Sequence, residues 1–222
     1  MPRTARAAEG GVVYHVLNRG NDRKRIFRKE GDYAAFLKLM VEGLQRVDLA
    51  IFAYCVMPNH WHLVVRPAGD CDLAAFLAWV CTTHVRRYHR HYETTGTGHL
   101  YQGRFKSFPI QEDEHLLAVL RYVDANPLRA GLVEQAEHWR WSSLGKSASV
   151  EAKGLLFPWP LPRPENWREM VNRAQSAEQL KRLRTSVNRG RPFGSPYWTQ
   201  ATAERLGLEF TLRNRGRPRR SR

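Results

Sequence analysis

The 222-residue chain contains three cysteines, Cys55, Cys71 and Cys81, and no CxxC pair. That odd number excludes a disulfide framework and gives neither zinc nor dithiol spacing, so the thiols are expected to be reduced. Acidic residues are scarce too: 21 Asp and Glu stand against 36 Lys and Arg, a formal net charge of +15. A surplus that large repels itself unless an anion offsets it, and nucleic acid is the usual one. A basic membrane-surface protein would need an amphipathic basic helix, and none stands out. No apolar run approaches the length of a membrane span. The opening MPRTARAAEGG is followed by no apolar signal-peptide core. A soluble cytoplasmic protein without a membrane partner is expected. Hydrophobic residues make up 42% of the chain, enough for a sizeable core.

Along the chain, VVYHVLNR (12–19) reads as a strand running into a basic loop from Arg19 to Arg25. Phe36, Leu37, Met40, Val41 and Leu44 recur at helical spacing over 32–47. LAIFAYCVM (49–57) and HWHLVVR (60–66) are strands joined by the tight Pro58-Asn59 connection. The stripe Leu73, Phe76, Leu77, Val80 marks a helix over 72–92, a strand follows at about 104–111, and a helix at about 113–126. Strand-helix-strand-strand-helix-strand is a doubled split β-α-β unit: an α+β, ferredoxin-like fold with helices covering one face of an antiparallel sheet. A first domain over 1–145 and a C-terminal extension over 146–222 are expected. The extension holds a Pro/Trp-rich strap (LLFPWPLPRPENW), a short helix over 176–184 and a basic tail expected to be disordered when free.

His60 and His62 flank Trp61, and residues i and i+2 of a strand share a face. Both imidazoles then project together while Trp61, Leu63 and Val65 feed the core. Two imidazoles on one face suit a divalent cation with open positions, although an HxH also arises by chance. Tyr122 and Asn126, four apart on a helix, lie one turn from each other. Pro127 places Asn126 at the frayed helix end, where its amide oxygen is free to coordinate. Asn-Pro is also ordinary helix punctuation, and Tyr122 alone would pass as a packing residue. The set is more informative than its members.

The segments YHVLNRGNDRKRIF, YCVMPNHWHLVVRP, HLYQGRFKSFPI and LRYVDANPLRAGLV, in this order, resemble the one-tyrosine HUH transposases, and among them the REP-associated tyrosine transposases of bacteria. The likeness spans about residues 10 to 145, and the tail from RPFGSPYW is similar to that subgroup as well. The resemblance implies a ferredoxin-like HUH domain with Tyr122 as nucleophile, His60 and His62 as metal ligands and Asn126 as the third. Many relatives carry Gln at that last position, and Asn is one methylene shorter. It further implies Mg²⁺ or Mn²⁺ as cofactor, a 5′-phosphotyrosine intermediate, and single-stranded DNA with REP-like hairpins as partner, in a nucleoid-associated setting. The long extension points to a monomer acting in cis, with a dimer as the alternative.

Single-strand grooves combine cations that follow phosphates with aromatic faces that stack bases. The DNA-binding candidates are Arg19, Arg23, Lys24 and Arg25 in the first loop, Arg86 and Arg87 with Arg90 on the second helix, Arg104 and Lys106 on one strand face, and Arg215 and Arg217 in the tail. Tyr88 and Tyr92 are candidates for base stacking. A strand transferase is the leading reading. Its rivals are a domesticated hairpin-binding protein that does not cut, and a hydrolytic nuclease that uses an activated water.

Overall fold

The computed structural model describes residues 8–145 and 152–213. Strands β1 (Val13–Arg19), β2 (Leu49–Met57), β3 (His60–Pro67) and β4 (Lys106–Ile110) form one antiparallel sheet in the order β2-β3-β1-β4. Helix α1 (Glu30–Leu44) joins β1 to β2, and α2 (Asp72–His91) joins β3 to β4. This is the expected ferredoxin-like topology.

Strand alternation sorts the side chains into two cores. Tyr14, Val16, Trp61, Leu63 and Val65 turn towards Phe36, Leu37 and Met40 of α1 and Phe76, Leu77 and Val80 of α2. A methyl group on Gly43 would stand 2.7 Å from the Phe76 ring, so the α1–α2 crossing requires a residue without a side chain. Val13, Cys55, Val64, Phe108 and Ile110 fill the other face. There α3 (Glu114–Asp124) packs Leu116, Val119, Leu120 and Val123 against the sheet. A sheet covered on both sides accounts for LAIFAYCVM reading as an unbroken apolar run. The expectation that helices cover one face therefore holds for α1 and α2 alone.

The chain beyond α3 continues through α4 (Asn126–Arg129), α5 (Trp167–Asn172), α6 (Ala177–Arg189) and α7 (Pro196–Arg205). Trp167, Val171, Leu183 and Phe193 share the core beneath α3. The same segment hydrogen-bonds to both sheet edges. Along β2, the amide of Val56 donates to Trp141 O (2.8 Å) and that of Phe157 to Ile51 O (2.9 Å). The indoles of Trp139 and Trp159 donate to Val56 O and Phe52 O at 3.0 and 2.8 Å. Along β4, Phe193 N donates to Pro109 O (2.9 Å) and Gln111 N to Phe193 O (3.0 Å). Open edges invite pairing with another chain, and here later parts of the same chain, around Trp141, Phe157 and Phe193, lie along them. Among the described residues no helix is long and apolar enough to cross a membrane.

Candidate active site

The β2–β3 turn is two residues long, with Met57 opposite His60, so β3 starts at the first histidine. Loop 20–27 packs against this turn: Gly20 N donates to Asn59 O (2.8 Å) and Ile26 N to Pro58 O (2.9 Å). A Cβ on Gly20 would meet Lys24 O at 2.5 Å, so the close approach depends on glycine there. Asn59 Nδ2 donates to Arg23 O (3.0 Å), which orients its amide oxygen 2.6 Å from His60 Nδ1. An amide oxygen only accepts, so His60 carries its proton on Nδ1 and presents the Nε2 lone pair.

The His60 and His62 rings lie 4.9 Å apart, centroid to centroid, on the α3 face. His62 Nδ1 lies 2.8 Å from Nε2 of a third histidine, His15 of β1, which is fully buried and touches the Phe108 ring. Burial pushes His15 down to about 3. Burial, then the cations Arg19 and Arg129, push His60 down to about 3. His62 is held well below its usual value by burial first, and then by His60, His15, Arg129 and Arg19. All three are neutral at physiological pH, the form in which imidazole ligates a metal.

Tyr122 projects from α3 onto this group, its ring centroid 5.9 Å from that of His62 and 6.3 Å from that of His15. It is 8% exposed. The expected single helix through Asn126 is interrupted: α3 stops at Asp124, and Asn126 opens α4 with Pro127 following. Asn126 still stays one turn below Tyr122, donating through Nδ2 to Tyr122 O (3.2 Å). Its Oδ1 accepts from Arg129 Nη2 (2.9 Å), which also donates to Tyr122 O (2.8 Å). The Arg129 guanidinium stands 4.2 Å from the Tyr122 ring centroid. No carboxylate ion pair neutralises Arg129 among the described residues.

The two imidazoles suit a divalent cation, while the Asn126 oxygen is already engaged by a cation. A separate Asp113–Glu114–His115 group has metal-capable side chains but lies about two turns from Tyr122, and Asp113 caps α3 through His115 N (2.8 Å).

Of the expected DNA contacts, Arg19 stands opposite His60 across the β1–β3 pair, and Arg23, Lys24 and Arg25 lie exposed in the loop against the turn. Arg19, Arg104 and Lys106 line one pocket of about 210 Å³ together with Gln102, Val187 and Asn188. Arg104 lies just before β4, and its side chain and that of Lys106 line the same pocket. Arg86 and Arg87 belong to α2 on the opposite side of the sheet, and Arg87 pairs with Glu42 (2.8 Å). Tyr88 is buried, and Tyr92 donates its hydroxyl to Asp32 (2.6 Å) beneath the Arg28 guanidinium. Arg215 and Arg217 lie outside the described residues. Sequence reasoning passed over His15 and Arg129. A histidine inside the apolar run VVYHV, on the β1 face that carries Arg19, and an arginine three residues after Asn126 were the available signals.

An HxH pair at the start of the central β3 strand and a helix-borne tyrosine on the same face of a ferredoxin-like sheet define the architecture of a one-tyrosine HUH protein. The family model "Transposase IS200 like" matches residues 10–126, and the chain belongs to that family. Within it the chain is similar to the REP-associated tyrosine transposases. It is 22% identical to one from Escherichia coli K12 over 173 residues, 78% of this chain and 93% of that one. It is 27% identical over 107 residues to a Haemophilus influenzae protein assigned to the same group, covering 45% of this chain and 61% of the relative. A solved REP-associated tyrosine transposase bound to a REP hairpin superposes with a TM-score of 0.54 at 20% identity, over 80% of this chain and 96% of that one, a likeness of fold.

Proposed function

We propose that the protein nicks single-stranded DNA beside a hairpin by attaching the strand to Tyr122, and that the same bond allows it to rejoin strands. The observation that carries this reading is the convergence of Tyr122 with two neutral, metal-competent imidazoles on one face of the sheet. His60 and His62 would hold Mg²⁺ or Mn²⁺, which when bound withdraws charge from a scissile phosphate and fixes it for in-line attack. Asn126 would join them only by sharing its oxygen with Arg129.

The chain's own groups do the rest. The Tyr122 hydroxyl oxygen bonds to phosphorus, the P–O3′ bond breaks, and the departing 3′ oxygen takes up a proton equivalent to the one the phenol loses. The products are a 5′-phosphotyrosine and a free 3′-hydroxyl. The energy of the phosphodiester stays in the new bond, so a later 3′-hydroxyl can reverse the step without ATP. Arg129 holds the backbone of Tyr122 and the Asn126 oxygen in one fork, and it forms no carboxylate ion pair among the described residues. Arg19, Arg104 and Lys106 lead the strand to the site past loop 19–25. The hairpin partner follows from kinship with REP-associated proteins, one of which was solved on a REP hairpin. The covered β2 and β4 edges favour a monomer.

Binding without cutting is supported by one observation, the cover that Arg129 lays over Tyr122. End-labelling separates the readings. A hairpin oligonucleotide labelled at its 3′ end should carry its label onto the protein, and the same oligonucleotide labelled at its 5′ end should release a fragment that a polymerase extends. Free fragments from both ends would indicate hydrolysis. Intact DNA retained by the protein would indicate binding alone.

A further inference from the structure

The C-terminal extension carries a basic surface that neither the family's matched residues, 10–126, nor the active site accounts for. Helix α6, AEQLKRLRTSVNR, buries Leu183 and Ser186 and leaves its cations on two flanks. Residues 184, 187 and 188 form one flank, as expected for positions three and four apart. Val187 and Asn188 line the Arg19–Lys106 pocket, and Arg184 is close enough to Arg129 to help lower its pKa, after burial, the leading cause. The other flank, with Lys181, Arg182 and Thr185, faces α7 across a cleft of about 320 Å³ that Arg191 closes. Arg182 is held in place there, donating to Gly194 O (3.4 Å) with its guanidinium 5.6 Å from the Phe193 ring centroid. Glu178 is the one acidic residue in the lining. It forms no ion pair with Lys181, Arg182 or Arg191 among the described residues.

Three cations against one carboxylate leave the cleft net positive, and Arg182 is fixed there by its hydrogen bond and its place over the Phe193 ring, so the cleft suits an anion. The opposite flank of the same helix borders the route to Tyr122. A helix is about 10–12 Å across with its side chains. An anion in the cleft therefore lies one helix diameter from the strand at the site, a span that a folded nucleic acid can bridge and an isolated small anion cannot.

We propose that α6 is a second DNA-binding element, whose cleft with α7 cradles phosphodiesters of the hairpin's duplex stem while its inner flank borders the single strand entering the Tyr122 site. This rests on the hairpin-DNA reading above. Stem phosphates are sequence-independent contacts that fix the register of the substrate, so the cleft sets where the nick falls relative to the stem.

Counterion release supplies the test. With duplex, each phosphate contact contributes about 0.9 to the slope of log K against log salt. The full chain with Lys181→Gln, Arg182→Gln and Arg191→Gln should lose about 2.7 from its slope on a hairpin oligonucleotide and nothing on an unstructured strand of equal length. Lys181→Gln alone, at an exposed position, should lose about 0.9 and guards against misfolding of the triple variant. An unchanged hairpin slope, or an equal loss on the unstructured strand, would overturn the proposal. If the unaltered protein bound hairpin no better than unstructured strand, the hairpin reading itself would fail.

Discussion

At the residue scale, the proposed chemistry turns on how few groups surround one phenol. Tyr122 has the His62 and His15 imidazoles against its ring, and the Arg129 guanidinium stands 4.2 Å from its centroid. Removing a preorganised charge donor at a reacting centre costs about 10²–10³ in rate. Arg129→Gln should therefore slow adduct formation at saturating DNA by about 10²-fold while hairpin affinity changes much less, and Arg129→Lys should recover part of the rate. Equal rates in quench-flow assays would remove Arg129 from the chemistry. His15 makes a different prediction. Its Nε2 holds the His62 ring by Nδ1, and losses of such outer partners weaken metal affinity about 10–100-fold. Mn²⁺ titration calorimetry of His15→Phe should show that loss, and unchanged affinity would make His15 mere packing.

At the element scale, the extension has a structural role beside the DNA contact proposed for it. Trp167 lies in the core beneath α3 and donates from Nε1 to Asp124 Oδ2 (2.9 Å), beside the Ser143 hydroxyl at Oδ1 (2.8 Å). Trp167→Ala should cost about 3–5 kcal/mol, measured by urea unfolding. A cost under about 1 kcal/mol would mean that the extension docks loosely. Much of this scale was legible in the sequence. Helical spacing located α1, α2 and α3, while β-branched and aromatic runs bounded by turn residues located the strands. The second covered face was not legible, since a strand buried on both sides loses the alternation that would report its neighbours. Helices α5 and α7 were missed because, in WREMVN and PYWTQATAER, there is too little apolar periodicity to detect. The grouping of His60, His62 and Tyr122 on one sheet face was readable from spacing and family resemblance. The His15 contact joins residues 47 positions apart, and only the folded register brings them together.

For the whole molecule, burial of neutral histidines ties stability to pH. His15, His60 and His84 are pushed from 6.5 to about 3 by burial, and His62 well below 6.5. The unfolded chain takes up their protons below pH 6.5 while the folded one does not, so stability is complete above that value and falls towards pH 3. Each withheld proton costs about 1.4 kcal/mol per pH unit. Asp124, raised from 3.8 to about 6 mainly by burial, opposes this: its folded form binds the proton first, which favours the fold between pH 6 and 3.8. With four histidines against one carboxyl, urea unfolding in EDTA should show a net loss of stability from pH 7 to pH 5. A flat or rising profile would mean the histidines are solvated. The same scale holds the net charge of +15, and if the protein binds DNA as proposed, affinity should fall steeply with salt.

The covalent role of Tyr122 is tested most directly by mapping the adduct. Trypsin cuts after Arg121 and Arg129, so the peptide Tyr122–Arg129 contains a single tyrosine. After incubation with a hairpin oligonucleotide and Mn²⁺, then nuclease trimming, mass spectrometry should find that peptide carrying a 5′-linked nucleotide, and Tyr122→Phe should carry none. A nucleotide on any other peptide, or an adduct that survives Tyr122→Phe, would contradict it.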